Sequence, residues 1–291
     1  MTDPLIDAEP PQDAVEALLA GTDLPDGWAT RATGPDRLTE LAGWWTTVSA
    51  APTPAQVTLA WAAEEAAGDA DAPPRCAARL VRAEAAGRPS DVETALAWGA
   101  ATADAAVDGG SDLIVLSLPE ELVADALEAH VLLAAQQLQL DPVDASEWPS
   151  PENVMSDVAW VARVAGLRDE RRRVGDLSGA PQRLLTAVGS PWLAAGVGLL
   201  ARATARRTPV LLDGAAAAVA GLLLRRTDPA ARAWWQVADG GDRLHTRVLA
   251  ELKLTPVLTL ALGRRPGDPW LGGRVALAVL ETACAAGTVE S

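Results

Sequence analysis

The run Asp112-Leu113-Ile114-Val115-Leu116-Ser117 is apolar at every interior position. A strand that buries one face alternates apolar and polar residues, whereas a strand covered on both faces does not. This run therefore reads as a strand inside a sheet with helices above and below it. Pro209-Val210-Leu211-Leu212-Asp213 reads the same way. Residues 56–61 have strand character after the punctuation of Pro52 and Pro54, residues 77–83 are a further candidate strand, and 257–262 a last strand or extended segment. Helical spacing marks 36–49, 90–107, 119–138, 192–207, 215–226, 242–252 and 272–286. Shorter helices are expected at 13–19, 154–164 and 229–238, one more ends near Val188, and 169–173 reads as a charged surface turn. Ser90 with Glu93 three residues on forms a capping-box signal for the helix after it. Strand followed by helix over short connections predicts a three-layer, Rossmann-like α/β fold: a parallel sheet with helices on both faces. A small helical lobe is expected from the N- and C-terminal helices. In such sheets ligands bind at the carboxyl ends of the strands.

A chain of 291 residues is long enough for one such domain without help from a disulfide or metal. The expected division is an acidic, Pro-rich segment over 1–30, partly disordered, and a single α/β domain over 31–291. Cys76 and Cys284 lie far apart with no metal-ligand spacing, which fits a reducing cytosol. The formal net charge of −15 argues against nucleic acid and anionic membrane as partners, since both would be repelled. Met1-Thr2-Asp3-Pro4 lacks the basic and apolar regions of a signal peptide. The longest apolar stretch, 215–224, is far short of the roughly 20 residues that span a bilayer. A cytoplasmic protein is expected. Basic residues gather at 168–173, 202–207 and 264–265, positive patches suited to a phosphate-bearing ligand. There are 11 Trp and no Phe or Tyr, so any aromatic stacking falls to tryptophan. Trp44, Trp45, Trp234 and Trp235 fall on expected helices, as core or interface anchors. No P-loop, dinucleotide fingerprint, nucleophile elbow or zinc cluster occurs.

The stretch Leu184-Leu185-Thr186-Ala187-Val188-Gly189-Ser190-Pro191-Trp192 continues to Thr208-Pro209-Val210-Leu211-Leu212-Asp213-Gly214. It resembles the nicotinate-nucleotide:dimethylbenzimidazole phosphoribosyltransferases, which make the lower ligand of cobalamin. In that family a helix ends in Gly-Gly, another helix follows, and a strand ends in Leu-Leu-Asp-Gly. Arg243-Leu244-His245 with Val248 to Leu252 is similar to the family's Gly-His-Arg-Ala-Leu-Leu-Glu-Ala-Leu segment, and residues 34–42 and 94–116 agree in order. The resemblance spans about residues 30 to 288. It implies phosphoribosyl transfer from nicotinate mononucleotide to a benzimidazole-like base, a reaction that demands no metal or other cofactor, in a homodimer whose interface carries the Trp-bearing helices.

Departures from the family pattern shape the expected site. The family's Gly-Glu-Met-Gly-Ile-Gly-Asn loop is replaced by Ser117-Leu118-Pro119-Glu120-Glu121. Its Ala-Asp-His-Gly is replaced by Ala62-Ala63-Glu64-Glu65, and its Leu-Gly-Glu-Gly-Ser-Gly becomes Leu262-Gly263-Arg264-Arg265 with an inserted Pro266-Gly267-Asp268-Pro269. Reduced or altered activity is expected, with a catalytically degenerate binding homologue as the alternative. For the phosphate, Gly189-Ser190-Pro191 is the first candidate, because Ser190 can cap a helix whose N–H groups and dipole favour an anion. Asp213-Gly214 at a strand end is the second, because glycine lets a ligand approach the backbone. For the carboxylate that takes the acceptor's proton, Asp268 is the acid nearest the family's Glu; Glu120 and Glu121, and Glu64 and Glu65, are weaker candidates. His245 is the family-matched histidine and joins the ligand-binding set. His130 reads as a structural residue.

Overall fold

The computed structural model describes residues 37–61, 76–83, 87, 89–119, 121–124, 127–146, 156–260, 262 and 270–287. Alternate residues of its central strands enter two different cores. In β1 (Gln56–Ala60), Val57 and Leu59 join one cluster and Ala60 the other. After β2 (Arg79–Arg82), β3 (Leu113–Ser117) divides in the same way: Leu113 and Val115 on one face, Ile114 and Leu116 on the other. This is the physical content of the unbroken apolar runs.

Between β3 and β6 (Val210–Asp213) lies a two-stranded antiparallel hairpin of β4 (Leu122–Ala124) and β5 (Leu127–Glu128). With β7 (Trp235–Asp239) and β8 (Pro256–Leu258), the main sheet has the order β2-β1-β3-β6-β7-β8, parallel throughout. The helices are α1 (Arg37–Val48), α2 (Val92–Asp108), α3 (Ala129–Gln137), α4 (Pro142–Ala145), α5 (Asp157–Val174), α6 (Pro181–Val188), α7 (Pro191–Ala205), α8 (Ala215–Thr227), α9 (Arg243–Leu252) and α10 (Leu271–Gly287). The N- and C-terminal helices α1 and α10 pack on each other over one sheet face, with Leu41, Trp45, Leu277 and Leu280 buried between them and the strands. α2, α7 and α8 cover the other face.

The closest helix pair is α2 with α7, which meet backbone to backbone. A Cβ on Gly99 would lie 2.0 Å from the Ala195 carbonyl oxygen, and one on Gly198 2.0 Å from that of Leu96. No side chain fits at either point, so glycine is required there.

The three-layer parallel architecture agrees with the sequence reading, and several local expectations need correction. Residues 119–138 are not one helix: β4 and β5 come first, and α3 begins only at Ala129. Every residue of α3 is buried, so apolar periodicity could not mark its start. Residues 157–174 form one helix, not a helix and a turn. Its charged end is held by Asp169–Arg172 and Glu170–Arg173 ion pairs one turn apart. Residues 229–238 are a 3-10 turn (Pro229–Trp234) leading into β7. The β-forming Trp235 and Val237 outweigh the alanines around them. Asp91, not Ser90, caps α2, accepting from the Thr94 N–H at 2.9 Å. Trp45 and Trp235 are fully buried, which leaves them no part in an interface. The expected disorder near the N-terminus and the helix at 13–19 lie outside the described residues.

Candidate active site

The strand order reverses between β1 and β3, the place where doubly wound sheets usually open a ligand crevice. The described residues there are packed and apolar. Trp61 follows β1 with a left-handed backbone (φ +42°) and is 1% exposed. Its ring stacks on Trp98 (4.5 Å between centroids, 19° between planes) and tilts against Trp192 at 6.2 Å. Leu118, after β3, is buried against Gly196 of α7; a Cβ there would lie 2.6 Å from its Cδ1. Where the family has a glycine-rich loop, this chain directs an apolar side chain into the core.

The two sequence candidates for phosphate differ in what the fold does with them. Ser190 is fully buried and caps α7: its Oγ accepts from the Leu193 N–H at 3.3 Å and donates to Glu121 Oε2 at 2.5 Å. The same carboxylate oxygen lies 3.4 Å from the Trp192 N–H. An anion at a helix start is electrostatically favoured, and here Glu121 supplies it from within the chain. Gly189 takes a left-handed turn (φ +76°) just before it. Gly214, by contrast, caps α8 with no side chain at all, at φ +88° and ψ 168°, a region essentially reserved for glycine. A Cβ there would meet nothing within 4 Å among the described residues. The first N–H groups of α8, at the carboxyl end of β6, are thus uncapped by any side chain among the described residues.

Asp213 immediately precedes that glycine and pairs in register with Ser117 of β3. Its carboxylate faces the start of α10: a Cβ on Gly272 would lie 2.6 Å from Oδ1 and one on Gly273 3.2 Å from Oδ2. Neighbouring Asp239, at the end of β7, accepts from the Leu260 N–H at 2.8 Å and the Leu262 N–H at 2.5 Å, and so fixes the segment after β8. His245 is in the first turn of α9, which Asp242 caps by accepting its N–H at 2.6 Å. Its imidazole is 2% exposed, and Nε2 has no hydrogen-bond partner among the described residues. Burial holds its pKa below the ordinary 6.5, against the pull of the Asp242 and Asp239 carboxylates. A neutral imidazole follows at pH 7.

Asp213, Gly214 and His245 therefore belong to the strand ends and helix starts of one edge of the sheet, while Gly189 and Ser190 serve α7. Asp268, Glu64, Glu65 and Glu120 lie outside the described residues. His130 is buried on α3. Ser117, Asp239, Gly272 and Gly273 escaped the sequence reading; the Gly-Gly pair was the available signal, since adjacent glycines at a helix start mark a close approach. Of the basic clusters, 264–265 lies outside the described residues, and 168–173 and 202–207 each hold arginines paired with nearby carboxylates. Arg202 and Arg206 pair with Asp104 at 2.8 and 2.7 Å and hold its carboxyl below the usual range, and Arg206 also reaches Asp108. The cysteines offer no thiolate: burial pushes Cys76 and Cys284 each to about 11. Among the described residues no group of His, Cys, Asp and Glu is arranged to hold a metal, and no helix is long and apolar enough to cross a membrane.

A phosphoribosyltransferase family model matches residues 47–289. The nicotinate-nucleotide–dimethylbenzimidazole phosphoribosyltransferase of Mycobacterium avium (strain 104) is 34% identical over 197 residues, 67% of this chain and 54% of that protein. The protein of that name from Mycobacterium ulcerans (strain Agy99) is 36% identical over 193 residues, 66% of this chain and 51% of its own. The chain spans about half the length of the curated relatives it matches. The crystal structure of the nicotinate-nucleotide–dimethylbenzimidazole phosphoribosyltransferase from Thermus thermophilus superposes with a TM-score of 0.65 at 18% identity, covering 95% of each chain. That likeness shows the fold.

Proposed function

The chain belongs to the phosphoribosyltransferase family, and from that membership we propose that it binds nicotinate mononucleotide and a benzimidazole-like base at the carboxyl edge of the sheet, in the cytoplasm, with weakened transfer. The observation that carries this reading is the open start of α8 at Gly214, whose uncapped N–H groups are free to hold a phosphate. His245 lies buried behind the same edge as a neutral imidazole, its Nε2 without a hydrogen-bond partner among the described residues.

In the proposed reaction a nitrogen of the acceptor base attacks the anomeric carbon of the ribose. The bond from that carbon to the nicotinate nitrogen breaks, and nicotinate leaves with the bonding electron pair as an uncharged pyridine ring. The acceptor's other nitrogen gives up its proton to a carboxylate. We assign that carboxylate to Asp268. Transfer is slow in this reading because Leu118 packs into the core where the family has a glycine-rich loop. The second reading is a binding homologue without turnover, favoured by the Glu121 carboxylate that fills the start of α7.

A nicotinate-release assay beside the Mycobacterium avium relative separates the two readings. Turnover reduced by about 10²–10⁴-fold, and abolished by Asp268→Asn, supports the first. Nucleotide binding without any turnover supports the second, and neither binding nor turnover refutes both. The proposal includes a homodimer. Its surface is the outer face of α5, where Val158 and Val161 are 80% and 57% exposed and Ala162 and Ala165 continue the stripe. Light scattering at the mass of one chain, unchanged by Val161→Asp, would remove that part.

A further inference from the structure

A cavity of about 520 Å³ runs between β1 and β2 on one side and α2 on the other, from Gln56, Gly109 and Ser111 at the amino end of the sheet to Ala83 and Trp98 toward its carboxyl end. Pockets of this size hold one small ligand. Its flat wall is the Trp98 ring, fixed from behind by the stack on Trp61 at 4.5 Å. Val81, Ala101 and Ala105 complete an apolar lining, and the two alanines leave the room that larger side chains would fill.

The polar groups sit at one end. Thr58 Oγ1 and Ser111 Oγ are buried and 2.7 Å apart, and each carries one hydroxyl hydrogen. Their mutual bond uses one hydrogen and leaves the other as a donor. Gln56 is already committed: its Nε2 donates to the Gly109 carbonyl at 2.7 Å. Arg79 lies at the mouth on an exposed edge strand, and its hydrogen bond there is a long 3.4 Å contact to Gln56 Oε1. Among the described residues it makes no ion pair, unlike Arg202, Arg206 and Arg225. The other arginine at the mouth, Arg82, has its guanidinium over the Trp270 ring at 5.1 Å. Among the described residues no aspartate or glutamate lines the cavity, although the chain has 39 acidic and 24 basic residues.

A flat aromatic wall, an apolar lining, one hydroxyl donor and one guanidinium without a carboxylate partner fit a planar aromatic monocarboxylate. We propose that this cavity, which shares no lining residue with the start of α8, is a second binding site for a small ligand of that class. The ring lies on Trp98, and the carboxylate accepts from Arg79 and from the Thr58–Ser111 pair.

Calorimetric titration of the full chain with 2-naphthoate tests this, with the uncharged 2-naphthamide as its partner probe. Saturable 2-naphthoate binding is expected, weakened about tenfold by Arg79→Gln, with 2-naphthamide affected far less. Ala105→Leu, which keeps a good helix former on an exposed position while filling the cavity, should abolish binding of both probes. Absence of binding at millimolar concentration, or binding indifferent to both substitutions in variants that melt as the parent does, overturns the proposal.

Discussion

α7 and α8 are neighbouring helices that start near the same edge of one sheet, yet the chain treats their starts in opposite ways. α7 is closed: Ser190 caps it, Glu121 brings a carboxylate to it, and Gly198 seats its backbone against α2. α8 is open: a glycine precedes it, and among the described residues no side chain caps it and no atom lies within 4 Å of where a Cβ on that glycine would stand. The lesson is that a helix start becomes a binding site only when the chain does not fill it. Both segments carry the glycine signal; the difference lies in a carboxylate about 70 residues upstream.

Four measurements test this contrast. The largest effect is expected at the seat of α7. Gly198→Ala or Gly99→Ala places a methyl 2.0 Å from a carbonyl oxygen, and should cost about 3 kcal/mol or more, lowering the melting temperature by about 6 °C or more. In α8, Gly221→Ala meets Leu212 and Trp235 at an ordinary 3.4 Å and should stay within about 1 kcal/mol of the parent. Equal losses in the two helices would mean that α7 is not specially constrained. Next, Ser190→Ala and Glu121→Gln should each destabilise by about 1–2 kcal/mol in chemical denaturation; a neutral result would show that the cap contributes nothing.

Ala215→Pro probes the open start directly. Proline suits the first position of a helix but removes one N–H, so α8 should fold while nicotinate mononucleotide binds about fivefold more weakly, the equivalent of one hydrogen bond near 1 kcal/mol. Unchanged affinity would place the phosphate elsewhere. The smallest effect concerns His245 at the capped start of α9. Its folded pKa lies below the ordinary 6.5, so on acidification the unfolded chain takes up the proton first. Stability present above about pH 6.5 is therefore lost as the pH falls below it. His245→Leu should flatten that part of the stability–pH curve, and an unchanged slope would assign it to other groups.

Much of the fold was legible because the central strands announce themselves. β3 and β6 read as buried on both faces, and they are. β7 did not, because Trp235 follows a helix-like alanine run. β4 and β5 did not, because a wholly buried α3 beside them has no polar face to set its start. The site was legible to the extent that glycines mark backbone approaches: Gly189 and Gly214 both adopt positive φ. Which of the two is open depends on Glu121, and a contact between segments so far apart has no local signature. Asp213 opposite Gly272 and Gly273 is likewise a product of topology, since β6 and α10 meet only once the sheet is assembled.

With no Phe or Tyr in the chain, the whole ultraviolet spectrum above the peptide bands belongs to tryptophan. Three of those chromophores, Trp61, Trp98 and Trp192, share one cluster, two of them face to face at 4.5 Å. Indoles held that close couple their excited states, so the pair should give a split circular-dichroism band that exists only while β1, α2 and α7 are assembled. The molecule thus carries an intrinsic optical gauge at the join of these three elements. One wall of that gauge, Trp98, is also a wall of the cavity beside α2.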